Sequence, residues 1–136
     1  MIDKEIIKTA SNTENHGVLD NHTHFSKLKN SICGDEMRIY LIVKDDKIIN
    51  FKYQCESCIY CQASVSLLSR KAKNKSVEKF KNFTKQVKNS FEKNTNSFDK
   101  ELEEFDKIMT IKNISRKECL LLPLNTTLDA LNKKSL

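Results

Sequence analysis

Hydrophobic residues repeat along this chain with two different periods, and the change of period separates its elements. Met37, Ile39, Leu41 and Val43 alternate with Arg38, Tyr40 and Ile42, the two-residue repeat of a half-buried strand. Lys44-Asp45-Asp46-Lys47 supplies turn residues, and Ile48 to Tyr53 forms a second β-rich run, so the pair predicts a β-hairpin. Cys33-Gly34-Asp35 stands just before the first strand, and Cys58 lies just beyond the second. Closing the hairpin therefore brings Cys33 and Cys58 to the same end. From His22 to Ile32 the alternation is looser, with Phe25 and Leu28 apolar, and predicts an irregular strand.

Elsewhere the period is helical. Ile2, Ile6, Ile7 and Ala10 share one face of a short helix over 2–12, which His16-Gly17 ends. A second helix follows Ser57, a candidate N-cap, through CIYCQASVSLLSRKAK, with small residues suited to close packing on a sheet. Val77, Phe80, Val87 and Phe91 mark a third, and Phe98, Leu102, Phe105 and Met109 a fourth. A last helix is expected after Pro123, which suits a first helical position because it lacks an N–H. Runs of strand followed by runs of helix make an α+β protein. The 136 residues suit a single domain, 1–136, without an internal repeat.

Composition changes this picture little. Apolar residues make up 38% of the chain and are patterned, and only two glycines and one proline interrupt them, which argues for a folded protein. The net charge of +6 concentrates in KAKNKSVEKFKNFTKQVKNSFEK, where lysine alternates with helical apolar positions. That is a solvated helix face rather than a nucleic-acid surface, which would interleave arginine and aromatic residues. No apolar run reaches the roughly 20 residues of a membrane span. MIDKEIIKTA is charged and lacks the apolar middle of a signal peptide. A cytoplasmic protein is expected, without nucleic-acid or membrane partners.

The five cysteines change it greatly, because clustered thiols in a reducing compartment point to metal or sulfur chemistry rather than disulfides. Cys55, Cys58 and Cys61 form C-x-x-C-x-x-C. A ferredoxin-like motif would continue with a fourth cysteine and a proline, absent here, and a zinc ribbon would need a second knuckle. Cys61 reads as a packing residue on the helix, and Cys55 either as a packing residue or as an auxiliary thiol. His16, His22 and His24 read as exposed or structural.

Three segments resemble one family in the same order and at similar separations. NSICGDEMRIYLIV resembles the N-P-x-C-G-D and strand segment of the U-type iron–sulfur cluster assembly scaffolds, which comprise the NifU N-terminal domain, IscU and SufU. YQCESCIYCQASVSLL resembles their second-ligand segment, and SRKECLLLPLNTTLDAL their third. The resemblance implies a small antiparallel sheet packed on one side by helices. It also implies Cys33, Asp35, Cys58 and Cys119 as ligands of a metal or an iron–sulfur cluster, [2Fe-2S] or Zn²⁺, with Cys33 and Cys119 as candidate persulfide acceptors.

The same resemblance implies a scaffold that takes sulfur from a cysteine desulfurase and passes clusters to apo iron–sulfur proteins or carriers, as a monomer or weak dimer. Two alternatives carry the same ligands: a zinc-dependent sulfurtransferase of the SufU kind, and a structural zinc module. Enzymatic activity is expected only under the first. Three thiolates with one carboxylate leave one harder, more exchangeable donor, which suits a site that must release its cargo.

The chain also departs from the pattern. Cys55 and Ser57 replace two glycines before the second ligand, and IMTIKNIS lacks the IscU docking motif L-P-P-V-K. Glu118 precedes the third ligand and forms Ser115-x-x-Glu118, a candidate capping box. Arg116 resembles an arginine of the SufU branch. With Lys117 it could offset the negative charge of the ligands. These differences set the chain nearer the SufU-like or NifU-like branch.

Overall fold

A computed structural model describes residues 4–31, 34–93 and 100–133. Along the chain run α1 (Lys4–Ala10), β1 (His24–Lys29), β2 (Glu36–Lys44), β3 (Lys47–Glu56), α2 (Ile59–Ala72), α3 (Val77–Glu92) and α4 (Lys100–Asp106). A 3₁₀ segment (Ile111–Arg116) then leads into α5 (Lys117–Asn132). The strands form an antiparallel meander in the order β1-β2-β3. Ile2, Phe98 and residues 94–97 lie outside the described residues.

The expected hairpin is present and longer than its apolar run. Asp45 and Asp46 both adopt left-handed φ, 52° and 62°, the geometry of a tight two-residue connection between twisted strands. Its tip is tied to the α2–α3 loop, with Val77 N donating to Asp46 O at 2.8 Å and Ile48 N to Lys75 O at 2.9 Å. The loose alternation after His22 resolves into β1, whose Ser26 is fully buried and donates to the Asp129 carboxylate on α5.

Alternation decides which face is covered. Met37, Ile39, Leu41, Phe51 and Tyr53 point inward and are buried under α2 and α5, while Arg38, Lys52 and Gln54 lie on the other face. The sheet is thus covered on one side by helices, an α+β arrangement. Helix α3 buries Phe80, Phe83, Val87 and Phe91 and buries none of its lysines, of which Lys79 and Lys85 are exposed and Lys81 and Lys88 partly so, as expected of a solvated helix face. Buried serines along α2 tie it to its neighbours: Ser66 Oγ donates to Asn12 O at 2.6 Å and Ser64 Oγ to Leu120 O at 2.7 Å.

Three expectations about helix ends need correction. Cys58, not Ser57, is the N-cap of α2, and it caps with no side-chain hydrogen bond. Pro123 lies inside α5 rather than at its start. Leu120 to Leu124 is buried without a break, and burial between α2 and the sheet outweighs the preference of proline for a first turn. The capping box does not form either: Arg116, the N-cap of α5, is already the last residue of the 3₁₀ segment, so Ser115 sits inside that segment.

Candidate metal centre

The centre is assembled from three separated stretches of chain. Gly34 has φ +75°, a left-handed backbone that glycine adopts without penalty, and it turns the chain into β2 directly before Asp35. Two backbone hydrogen bonds close this turn, Asn30 N to Asp35 O and Gly34 N to Asn30 O, both 2.7 Å. Cys58 caps α2 two residues after β3 ends. Cys119 stands in the first turn of α5. The N-terminus of α2 therefore opens at the centre, and its first-turn N–H groups favour negative charge there.

One side-chain atom each from Asp35, Cys58 and Cys119 lies within 4.8 Å of the other two. Two thiolates bound to one zinc at tetrahedral angles stand about 3.8 Å apart, so small side-chain movements would bring the three into one coordination sphere. Cys33, the fourth residue expected here, lies outside the described residues. Asp35 is only 7% exposed, and its Oδ2 is buried without a hydrogen-bond partner among the described residues. A buried carboxylate oxygen without a donor costs free energy unless a cation satisfies it. The donor set, two sulfurs and one hard oxygen, fits zinc or iron.

Cys55, Cys58, Cys61 and Cys119 all carry reduced thiols. Cys61 is fully buried, and burial pushes its pKa far up, which fits an inert packing residue. Cys55 is half-buried; burial raises its pKa, the Ser57 hydroxyl opposes the rise, and the charges of Asp35 and Cys58 add to it. The guanidinium of Arg116 lies over the Tyr60 ring at 5.2 Å, which anchors the start of α5 to the first turn of α2.

None of the three histidines joins the ligand group found among the described residues. His16 packs edge-on to Tyr53 at 5.5 Å, and His22 makes a tilted contact with Phe25 and an edge contact with Tyr40. His24 Nδ1 meets Thr23 Oγ1 at 2.9 Å. Sequence reasoning missed the place of His16 beside Cys55: both line two adjoining surface cavities. The parallel bridge of His16 to Tyr53 puts them together, and a single bridge leaves no period to read.

The NifU-like N terminal domain model matches residues 1–100. The chain belongs to that family. Similar proteins include the iron–sulfur cluster assembly scaffold protein IscU of Thermotoga maritima, 33% identical over 78 residues, which is 57% of this chain and 55% of that protein. Another is IscU 1 of Archaeoglobus fulgidus, 29% identical over 85 residues, 62% of this chain and 56% of that one. The matches thus span about half the length of these relatives.

Two solved structures share the fold. A candidate SUF-system iron–sulfur cluster assembly scaffold of Fervidobacterium islandicum superposes with a TM-score of 0.87 at 24% identity, covering 96% of both chains. The N-terminal part of a NifU-like protein of Brucella abortus gives 0.84 at 18% identity, covering 95% of this chain and 90% of that one. In this family setting, Asp35, Cys58 and Cys119 stand where the three sequence segments meet in space.

Proposed function

We propose that this chain is an iron–sulfur cluster assembly scaffold. In this reading it accepts sulfur from a cysteine desulfurase, combines it with iron on Cys33, Asp35, Cys58 and Cys119, and hands the cluster to apoproteins or carriers in a reducing cytoplasm. The observation that carries the reading is the meeting of Asp35, Cys58 and Cys119 from three elements within 4.8 Å. The thiolates hold the cargo, because soft sulfur binds iron tightly. Asp35 is the exchangeable member: a recipient thiolate displaces carboxylate more readily than it displaces another thiolate.

The compactness of the group favours a second reading, in which one zinc ion is the resting occupant and a ligand cysteine leaves it to accept sulfur. Metal analysis of freshly purified protein, made aerobically and anaerobically, separates the two. Iron with labile sulfide under anaerobic conditions supports assembly, and stoichiometric zinc in both preparations supports the sulfurtransferase.

The roles of the ligands are tested by substitution. Cys58→Ser and Cys119→Ser should lose most of the metal. Asp35→Ala should keep it and slow its delivery to an apo-ferredoxin. An Asp35→Ala protein that loses metal as badly as the cysteine variants would overturn the exchange role.

A further inference from the structure

We propose that Cys55 is a sulfur-accepting thiol that works beside the metal centre without belonging to it. The proposal rests on the scaffold reading and adds a point of entry for sulfur to it. In the β2–β3 register Cys55 pairs with Met37, and Asp35 precedes Met37 by two residues. Cys55 therefore occupies the inward-facing position next to the carboxylate ligand. In sequence it stands three residues before Cys58, separated only by the end of β3 and the α2 cap. Yet among the described residues the group of converging donors comprises Asp35, Cys58 and Cys119 and does not include Cys55. A metal held by that group leaves the Cys55 thiol free.

The same thiol is reachable. Cys55 and His16 line two adjoining surface cavities, one of about 210 Å³ bordered by Glu36, Arg38, Gln54 and Glu56, the other of about 420 Å³ bordered by Thr13, Tyr53 and Gln62. Cys61, the other extra thiol, is 0% exposed and has no such access. The larger cavity runs between the segment after α1 and the first turn of α2. It can admit a narrow thiol-bearing segment or a small persulfide, and close positioning of a donor there compensates for the low reactivity of a half-buried thiol.

The step is a transpersulfidation. Cys55 Sγ attacks the terminal sulfur of a donor persulfide, R–S–SH. The S–S bond of the donor breaks, a new S–S bond forms at Cys55, and R–S⁻ leaves. The Cys55 proton passes to water in the open cavity. One sulfane sulfur is transferred, with no net oxidation or reduction and no ligand displaced from the metal. A second exchange of the same kind moves the sulfur to Cys58.

The test uses the full chain loaded with zinc, so that the ligand thiols are protected. Zinc stoichiometry is measured first. The protein is then treated with inorganic polysulfide, alkylated and digested, and the sulfur-bearing peptides are located by mass spectrometry. The expected result is added sulfur on Cys55 with zinc retained. Total incorporation should fall to the blank level in Cys55→Ser and Cys55→Ala and stay unchanged in Cys61→Ser.

Sulfur appearing first on any other thiol, with zinc released in step, overturns the proposal, as does full incorporation in both Cys55 variants. A chain that binds no zinc or iron sinks the scaffold reading instead. The peptide map of that same protein still decides whether Cys55 is the acceptor.

Discussion

The two ends of the core are built on opposite terms. At one end Phe51, Phe80, Phe83 and Phe105 form a chain of ring contacts, with centroids 6.3, 6.2 and 5.9 Å apart in turn. All four are buried, and Lys75 closes the rim with its ammonium 4.7 Å from the centre of the Phe83 ring. At the other end, among the described residues, stand a buried carboxylate with an unpartnered oxygen, two half-buried thiols and two buried ones. Aromatic rings bury large apolar area, whereas the carboxylate is destabilising until a cation reaches it. The contrast suggests a division of labour: the phenylalanine end holds the fold, so the thiol end can stay chemically unsatisfied.

Phe80→Ala gives the largest effect expected from that division. It removes a fully buried ring that touches two others, and such truncations cost about 3–5 kcal/mol. Denaturant unfolding should show that loss, while metal stoichiometry in the folded fraction stays at the wild-type value. Metal lost in proportion to stability would mean that the two ends are not independent.

Removing metal probes the other end. A ligand that binds only the native state adds about 2.7 kcal/mol at a hundredfold excess over its Kd. A strong chelator should therefore lower the melting temperature of metal-containing protein clearly, but by less than Phe80→Ala does. An unchanged melting temperature in protein shown beforehand to contain metal would break the comparison, because the thiol end would then be satisfied without a cation.

Ser64→Ala tests the join between the two ends. Pro123 supplies no N–H to the carbonyl of Cys119, four residues back, and its ring crowds that turn of α5. Ser64 Oγ donates to the next carbonyl, that of Leu120, at 2.7 Å within the core. Losing a buried donor of this kind costs about 1–3 kcal/mol. The first turn of α5 also positions Cys119, so Ser64→Ala should weaken metal affinity as well as stability. A variant with lower stability and unaltered affinity would show that the Cys119 turn is set by other contacts.

The phenylalanine end was largely legible in the sequence, because its residues recur with helical and strand periods. The hairpin was legible for the same reason. Its expected pairing of Cys33 with Cys58 at one end falls partly outside the described residues; within them Asp35, at the end of the same Cys33-Gly34-Asp35 segment, is the neighbour of Cys58. Cys119 joined them only through resemblance, since no period relates residue 119 to residue 58. Helix α5 was misread at its start. Its run from Leu120 to Leu124 carries no amphipathic stripe, being buried all round, and the signal read for its start was a proline that usually begins a helix. The Ser115–Glu118 pattern failed likewise, because the 3₁₀ segment already supplies the turn that a cap would begin. Local signals lost wherever burial on several sides decided the conformation.

The smallest expected effect concerns the far end of α5 and its dependence on pH. The Asp129 carboxyl is held below its ordinary pKa of 3.8, first by the Ser26 hydroxyl of β1 and then by Lys133. A carboxyl whose folded pKa is depressed binds its proton more readily in the unfolded chain. Its contribution is therefore present above the unfolded value and is lost as pH falls through the folded one. The window opens near pH 4 and extends downward. Glu104, held low by the Lys71 ammonium at 2.6 Å, contributes in the same direction and range. Both groups are partly exposed, so solvent screening keeps each contribution below about 1 kcal/mol. Acid unfolding of metal-stripped protein isolates them from loss of the metal. Asp129→Asn should flatten the acid limb slightly, and Asp129→Asn with Glu104→Gln should flatten it further. Wild-type and Asp129→Asn limbs that superpose would show that the Ser26 contact holds α5 to β1 by shape alone, with no share for the charge.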